Sequence, residues 1–481
     1  MNSEYLNIID EKAEQLNALS DAVWDYAETA FSENQSAKVL IDFLMEEGFE
    51  VTRSAYGIDT AFTASFGQGK PVIGLLGEFD ALSGLSQISD HFEKVPLTEG
   101  ANGHGCGHNL LGVGSLAAAL AVKKYLEDTK TSGTIVYYGC PGEEGGSGKA
   151  FMAREGAFNH LDCALSWHPA ETNNVIQYTS LANIQVLYKF YGTSAHAAGN
   201  PEDGRSALDA LELMNIGVNF LREHMISSAR IHYAIVNAGG YSPNVVQSKA
   251  EGIYLIRAPK MHQAQELFER VKKIANGMAM ATETRVAYEL IKTCTNILPN
   301  RVLEKELFKS MQEVPLPEFT KEDYAYSKKM METSPLPPNK TLEKVKSNLR
   351  DPENRSFIDS KKNSSLFDFV LPYEEMVEPI QLNGSTDVGD VSWLCPTAQI
   401  QTATWAPNSG GHSWQIVSQG KGDIAHKSTL YCGKVLGLTA IRLMKSPEIL
   451  DAAKKELKYV LDGQCYTPIP SEVKPRALNT I

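Results

Sequence analysis

Two side chains that bind transition metals stand one residue apart in the stretch 103–109, which reads Gly-His-Gly-Cys-Gly-His-Asn. Cys106 offers a thiolate and His108 an imidazole, the ligands that zinc and its neighbours prefer. The glycines around them let the backbone turn tightly. An apolar run at 110–126 follows at once, so we predict that the two ligands lie on a loop that opens a helix. A cysteine and a histidine near a glycine turn are more often structural than metal-binding. Whether these two bind a metal therefore depends on which other polar residues lie near them.

Polar residues stand directly after three apolar runs that we predict as buried strands, at 72–77, 134–139 and 163–167. Helical segments alternate with these strands, as in an open α/β sheet, where ligands bind at the carboxyl ends of the strands. We therefore expect one crevice to receive six side chains: Asp80, Cys106, His108, Glu143, Glu144 and His168. Taken singly, the two glutamates could instead favour a helix N-terminus, and the last histidine could be a packed core residue.

Two catalytic metals usually share a bridging ligand, and each keeps an open position. Five side chains are candidate ligands for such a pair: Cys106, His108, Glu144, His168 and His412. Glu143 is left over, and because neighbouring side chains at a turn point in different directions, it can face the reacting water as a general base. A structural zinc site would be closed by four ligands and would not need that carboxylate. His426 is a rival to His412 as the distant ligand.

From about residue 183 the pattern changes to that of a second fold. Strands and helices are predicted in the order β-α-β-β-α-β, at 184–191, 205–223, 229–237, 250–258, 261–278 and 284–291. This order is typical of a ferredoxin-like α+β sandwich. We predict an inserted lid or dimerisation domain at 183–295, within an α/β domain whose central, mostly parallel sheet is flanked by helices.

The α/β domain, predicted as the catalytic domain, is then built from two parts of the chain, 1–182 and 296–481. In the second part, the stretch 313–378 is polar and contains prolines, and we predict a solvated surface extension without chemistry. Helices are predicted at 3–29, 36–47 and 424–444, where apolar residues recur at helical spacing.

The composition is that of a globular protein with an acidic balance. The formal net charge of −13 argues against nucleic acid and anionic membranes as partners. We find no basic-then-apolar leader and no apolar run long enough to span a bilayer, so we expect a cytoplasmic protein. The seven cysteines are an odd number scattered along 481 residues, which disfavours a disulfide framework. Apart from Cys106, we interpret them as small buried side chains.

The motifs taken together resemble the M20 metallopeptidase family, and within it the amidohydrolase branch. The resemblance extends over nearly the whole chain and is carried by the stretches 78–82, 104–108, 142–146, 168–169, 192–197, 385–393 and 412–415. The chain departs from the family pattern in two places. Asn109 stands where many members of the branch have aspartate, and Glu78 stands where a first carboxylate or a histidine is usual. We do not assign Glu78 as a ligand.

The resemblance implies a role for each candidate residue. Cys106 bridges two divalent metal ions, manganese or zinc, and the other four candidate ligands complete their shells. Glu143 is the base, and Asp80 orients a ligand. Three further residues are implied on the lid, where they grip the tetrahedral intermediate and the substrate carboxylate: His196, Asn244 and Arg257.

We therefore predict a dimetal amidohydrolase that cleaves an amide bond beside a free carboxylate, using a water activated by both metals and by Glu143. The expected substrate is an N-acyl or N-aroyl amino acid, with p-aminobenzoyl-glutamate as the first candidate. A dipeptidase or aminoacylase with another substrate is the alternative. A non-catalytic binding protein is disfavoured because no ligand and no base is missing. The resemblance also implies a homodimer through the lid and leaves open a related second subunit.

Overall fold

The alternation of strands and helices predicted for the first part of the chain is present in the computed structural model, which describes residues 3–337, 339–376 and 378–477. The strands are Glu50–Thr52 (β1), Phe62–Gln68 (β2), Val72–Glu78 (β3), Gly133–Cys140 (β4), Cys163–Ala170 (β5), Asn174–Val175 (β6), Tyr178–Thr179 (β7), Ala182–Tyr191 (β8), Arg230–Asn237 (β9), Lys249–Ala258 (β10), Arg285–Cys294 (β11), Ile380–Gln381 (β12) and Thr397–Ala403 (β13).

Helices precede, separate and follow these strands along the chain. They are Asn7–Glu11 (α1), Ala13–Tyr26 (α2), Asn34–Glu46 (α3), His108–Thr129 (α4), Glu143–Gly146 (α5), Gly148–Arg154 (α6), Ala207–Leu221 (α7), Met261–Ala281 (α8), Arg301–Glu313 (α9), Lys321–Glu332 (α10), Lys340–Asn348 (α11), Pro352–Lys361 (α12), Val388–Ser392 (α13), Trp414–Gln419 (α14), Asp423–Lys445 (α15) and Pro447–Leu461 (α16).

The larger sheet is parallel at its centre and antiparallel at its edges. Its strand order is β1-β2-β4-β3-β5-β13-β6, and the strands β4, β3, β5 and β13 run parallel to one another. Leu75 on β3 pairs with Tyr137 on β4 and with Leu165 on β5. Three residues further along, this register brings Glu78 and His168 to the same edge of the sheet. The predicted α/β fold with a mostly parallel central sheet is confirmed, and the strand ends meet as expected.

Two long helices, α4 and α15, pack against each other through small residues. A Cβ atom at Gly433 would lie 2.7 Å from the Cβ atom of Ala117, and one at Gly437 would lie 3.0 Å from that of Ala121. Larger side chains at these glycines would push the helices apart, since packed interiors have no spare volume. Because α4 begins at His108, this tight packing also fixes the backbone of a candidate ligand.

The inserted segment forms a separate antiparallel sheet in the order β11-β8-β10-β9. Helices α7 and α8 cover one face, and alternate residues of β10 from Ala250 to Ala258 are buried beneath them. The opposite face of the strand is more exposed, which is the period of two expected for a half-buried sheet. The predicted β-α-β-β-α-β order and the ferredoxin-like fold are confirmed.

The polar extension is more ordered than its sequence suggested. It contains α10, α11 and α12, and it encloses a small core made of Leu342, Leu349, Ile358, Phe367, Phe369 and Leu371. Capping residues start two of these helices: Thr320 with Asp323 at α10, and Asp351 before Pro352 at α12. These capping residues can be recognised in the sequence and indicate where the helices begin, although the polar composition of the extension does not suggest helices.

Other sequence predictions need smaller corrections. The helix predicted at 3–29 is interrupted, because Lys12 has φ −101° and ψ 6° between α1 and α2. Strand β1 and helix α16 lie outside the predicted elements. Cys465, interpreted from the sequence as buried, is exposed; all seven cysteines are free, so the predicted lack of disulfides holds. Within the described ranges, no helix is both long enough and apolar enough to cross a bilayer.

The C-terminal tail after α16 contacts a buried carboxyl group. The hydroxyl of Tyr466 donates to Oδ1 of Asp390 at 2.8 Å, and the backbone N–H of Thr295 donates to Oδ2 at 3.2 Å. Burial raises the pKa of Asp390 to about 7; the hydrogen bond from Tyr466 opposes this shift and the charge of Asp387 adds to it. The native state therefore holds a proton here that the unfolded chain releases at much lower pH.

We expect Asp390→Asn to remove part of the pH dependence of stability. In the wild type, the unfolded chain ionises at this position from about pH 4 upward while the native state stays protonated up to about pH 7. Since the native state then binds more protons, the free energy of unfolding falls as pH rises through this window and levels off above it. Urea unfolding at pH 4.5 and pH 7.5 measures the difference. The exposed Asp128→Asn serves as control, and identical pH slopes for all three proteins would contradict the prediction.

Candidate metal centre

Asp80 fixes the orientation of His108 at the start of α4. Asp80 follows β3 and is buried, and its Oδ1 lies 3.0 Å from Nδ1 of His108. Because the carboxylate accepts the Nδ1 proton, Nε2 of His108 presents its lone pair. That Nε2 is buried and has no hydrogen-bond partner among the described residues. Oε2 of Glu78 is 3.2 Å away but lacks the geometry of a hydrogen bond, so the Nε2 lone pair can go to a metal ion.

Cys106 and His168 face each other across the crevice. Nδ1 of His168 lies 2.7 Å from the carbonyl oxygen of Pro169 and donates to it, so Nε2 points at Sγ of Cys106, 3.4 Å away. Burial raises the pKa of Cys106, but the charges of His168 and His108 outweigh burial and lower that pKa to about 6. The sulfur thus ionises readily to the thiolate, which is the form that binds metals.

Glu144 and His412 form a second facing pair. Nε2 of His412 lies 3.1 Å from Oε1 of Glu144, which is close enough for an ion pair but lacks the geometry of a hydrogen bond. Contacts with Cys106 and Glu144 raise the pKa of His412 to about 10. The backbone N–H of His412 donates to the carbonyl of Gly105 at 3.1 Å, which brings this loop against the Cys106 loop. The rival His426 is instead paired with Asp21 at 2.9 Å.

Two groups of donor atoms share Cys106. The first is Cys106, His108 and His168, the second is Cys106, Glu144 and His412, and the atoms of each group lie within 4.8 Å of one another. Thiolate, imidazole and carboxylate donors suit zinc and manganese. Nε2 of His108 and Oε1 of Glu144 are both buried without a hydrogen bond among the described residues, and a bound cation would satisfy them. The residues therefore fit two divalent ions with Cys106 between them.

The turn that carries Glu143 is held by two carboxylates. The backbone N–H of Gly142 donates to Oε1 of Glu33 at 2.9 Å, and that of Glu144 donates to Oδ2 of Asp80 at 2.7 Å. Glu33 is fully buried, and burial followed by the charge of Asp80 raises its pKa to about 8. These two bonds fix the backbone on both sides of the predicted base. Glu33 is not among the residues predicted from the sequence, because it stands in a polar stretch before α3.

Glu143 is placed as a spare carboxylate beside the ligand groups. One of its oxygens lies within 4.8 Å of donor atoms of Glu78 and His108. Burial, followed by the charges of Glu78, Glu144 and Asp387, raises the pKa of Glu143 well above its ordinary value. A carboxylate with a raised pKa accepts a proton more readily near neutral pH, which is what general base catalysis requires.

A fully buried lysine balances part of this negative charge. Nζ of Lys149 lies 2.6 Å from Oε1 of Glu78 and 2.6 Å from Oδ1 of Asp387. Its backbone N–H also donates to the second oxygen of Asp387 at 2.8 Å. The other oxygen of Glu78, Oε2, lies 3.2 Å from Nε2 of His108. Lys149 is not among the residues predicted from the sequence, although a lysine inside the otherwise apolar start of α6 is a usable signal.

The three residues predicted on the lid lie apart from the ligand groups. His196 and Asn244 are exposed neighbours, since the backbone N–H of Ala197 donates to the carbonyl of Asn244 at 2.9 Å. Arg257 on β10 reaches Oγ of Ser385 at 3.3 Å. In the part of the chain that the structure describes, no hydrogen bond or ion pair joins these three to the ligand groups. Their roles stay predictions.

Comparison with known proteins identifies relatives over nearly the whole chain. The sequence pattern described as "Peptidase family M20/M25/M40" matches residues 74–391. One subunit of the p-aminobenzoyl-glutamate hydrolase of Escherichia coli (strain K12) is 45% identical over 471 residues, which cover 98% of this chain and 98% of that protein. The human Xaa-Arg dipeptidase is 28% identical over 473 residues, 95% of this chain and 92% of that protein.

A solved structure shares the fold at low sequence identity. The Bacillus subtilis YXEP protein, described as a dinuclear metal binding peptidase from the M20 family, superposes with a TM-score of 0.51. The match covers 88% of this chain and 98% of that chain at 14% sequence identity. At this identity the likeness supports the fold, and the chemistry must be argued from the residues themselves.

We expect Lys149→Met to lower the free energy of unfolding by about 3–5 kcal/mol, because it leaves two buried carboxylates without their cation. Adding Glu78→Gln and Asp387→Asn to the same chain should restore part of this loss, since the charges that lacked a partner are then gone. Urea unfolding of the metal-free proteins, followed by tryptophan fluorescence, measures both. A triple variant no more stable than Lys149→Met alone would show that the ion pairs do not carry the effect.

Proposed function

Since the chain belongs to peptidase family M20 and is an amidohydrolase, we propose that its substrate is an N-acyl or N-aroyl amino acid, with p-aminobenzoyl-glutamate as the first choice. The same catalytic residues would serve many amides, so they do not identify the substrate. The observation that carries the proposal is therefore the identity of 45% to the E. coli hydrolase subunit over 98% of both chains. The donor groups around Cys106 and the spare carboxylate of Glu143 agree with this chemistry.

Two divalent metal ions are the proposed cofactors, one held by each donor group with Cys106 shared. The donors suit both manganese and zinc, and we propose one of these. When bound, the ions would polarise the amide carbonyl and lower the pKa of water. Asp80 would keep His108 in the tautomer that binds metal, through the contact between its Oδ1 and Nδ1 of the imidazole at 3.0 Å.

Glu143 is the proposed general base and later the acid. In this role its carboxylate takes a proton from the attacking water and returns it to the leaving amine. Glu33 and Asp80 hold the turn on either side, so the carboxylate is positioned before substrate arrives. Preorganised groups of this kind avoid the cost of rearrangement during the reaction.

The segment 183–295 is the proposed lid. His196 and Asn244 would hold the oxyanion, and Arg257 would meet the substrate carboxylate with its planar guanidinium group. Nε of Arg257 is buried and lacks a hydrogen-bond partner among the described residues, so it has a donor to spare. Ser385, which Arg257 contacts, precedes Asp387 of the buried ion network. A carboxylate bound by Arg257 would thus lie between the lid and the segment that precedes α13.

We also propose that the lids pair in a homodimer. The outer face of α7 exposes Ile216 and Phe220, and β9 exposes Ile235 and Val236 along its length. Large apolar side chains exposed on an edge strand and on a helix are common at protein interfaces. The E. coli relative is one subunit of its hydrolase, which supports a related second subunit as the alternative partner on the same face.

A dipeptidase is the second candidate function. The human Xaa-Arg dipeptidase aligns with 95% of this chain at 28% identity, and its machinery would serve a dipeptide equally well. A hydrolysis screen of p-aminobenzoyl-glutamate, N-acyl amino acids and dipeptides on the metal-loaded protein separates the two. Faster turnover of dipeptides than of p-aminobenzoyl-glutamate would favour this second function.

Glu143→Gln should abolish turnover and leave the metal content close to that of the wild type. The expected loss is about 10²–10⁴-fold, the usual contribution of a positioned acid–base group. Glu144→Gln should lower both turnover and metal occupancy, because it removes a proposed ligand. Metal analysis of the purified variants beside the hydrolysis assay distinguishes the two adjacent residues. Equal metal loss in both would refute the assignment.

His196 should act on the active site of the opposite subunit if the lids pair. Its exposed ring accepts hydrogen bonds from the backbone N–H groups of Ala198 and Gly199 at 3.2 and 3.0 Å through Nδ1, which leaves Nε2 free to donate outward. Dimers of Glu143→Ala and of His196→Ala should each be inactive. Refolding the two together should restore about a quarter of the wild-type sites, because each heterodimer then has one intact site. No recovery in heterodimers verified by mass spectrometry would mean that His196 acts within its own chain.

A further inference from the structure

Glu171 joins three segments that lie around His412. It stands three residues after His168, just past the end of β5. One of its oxygens accepts the backbone N–H of Asn408 at 2.6 Å, and the other accepts the hydroxyl of Thr341. The carboxylate of Glu171 thus connects three segments: the end of β5, which carries His168, the polar extension, and the loop that leads to His412.

The loop at 405–413 is fixed through Asn408. This residue is buried and has a left-handed φ of 64°. Its carbonyl oxygen accepts the hydroxyl of Ser334 at 2.6 Å, and its N–H donates to Glu171. Both polar backbone groups of Asn408 are therefore held from outside the loop. Both hydroxyl residues belong to the extension: Ser334 follows α10, and Thr341 lies in the first turn of α11.

The backbone N–H of His412 donates to Gly105, and the rest of its backbone position depends on the loop that carries it. Its side chain is 55% exposed, and its φ of 53° is one that residues other than glycine rarely adopt. Gly410 and Gly411 precede it and have no side chain to pack. Strained positions persist only where the surrounding structure determines them. Here the surroundings include the carbonyl of Gly105, which accepts the His412 N–H, and the anchored Asn408. The side chain of Gln419 also bonds the loop, at Ala406 and at Ser409.

We propose that Glu171 and the extension are positioning elements for His412. Through Ser334 and Thr341 they hold the loop so that the imidazole stays at the second donor group. The proposal rests on the proposed function, since it takes His412 to be a metal ligand. It gives the extension, interpreted from its polar sequence as free of chemistry, a part in metal binding. Partners that orient metal ligands usually change metal affinity by about 10- to 100-fold.

The test is metal release from a Ser334→Ala/Thr341→Val variant, which removes both hydroxyls of the extension with little change in volume. Chelator is added to the zinc-loaded protein, and release is followed with a zinc-sensitive dye. We expect one of the two ions to leave about 10- to 100-fold faster than in the wild type and the other at the wild-type rate. Ser347→Ala/Ser360→Ala is the matched control, since each of these hydroxyls bonds a carbonyl of its own helix in the extension.

His412→Ala, measured in the same way, separates this inference from the function on which it rests. If His412→Ala releases neither ion faster, the ligand assignment itself is wrong. If it releases one ion faster while the Ser334→Ala/Thr341→Val variant behaves as the wild type, or loses both ions equally fast, the positioning role is refuted. Should the double variant fail to fold, Ser334→Ala alone takes its place, and the same outcomes decide.

Discussion

The ion pairs of Lys149 are the interaction on which the crevice depends. Several carboxylates and a thiolate converge where strands β3, β4 and β5 end, and a buried, unpaired charge costs several kcal/mol. Lys149 is fully buried between Glu78 and Asp387, at 2.6 Å from each. Its pairs join the end of β3, the helix after the predicted base and the segment before α13. The same contacts that balance the charge also bind three distant parts of the chain together.

Much of the site could be predicted because it follows from sheet geometry. Asp80, Glu143 and His168 each stand just after an apolar run, and parallel strands bring such ends to one edge. Their convergence needs only the period of the apolar residues and the order of the strands. The ferredoxin-like order of the inserted sheet could be predicted on the same grounds. Local sequence patterns are enough to predict the position of a residue when that position is set by the strand or helix that carries it.

The residues that escaped prediction are placed by contacts across the fold. Lys149 and Glu33 are of types that usually face solvent, and only their distant partners keep them buried. His412 could be named as a ligand, but nothing in the sequence shows that Glu171 and the extension hold its loop. His196 is the opposite case, because its side chain is exposed and its proposed role depends on a contact with another subunit. The spacing of apolar residues predicts neither contacts between distant parts of the chain nor contacts with another subunit.

The order of the candidate ligands along the chain determines when each donor group can form during synthesis. Cys106, His108 and His168 leave the ribosome close together, before the lid and the extension are made. His412 follows on the order of tens of seconds later at ordinary rates of translation. A growing chain can therefore gather the first donor group while the second still lacks its last member. Metal binding in the two proposed groups would then follow the direction of translation, since His412 comes after β13 in the chain.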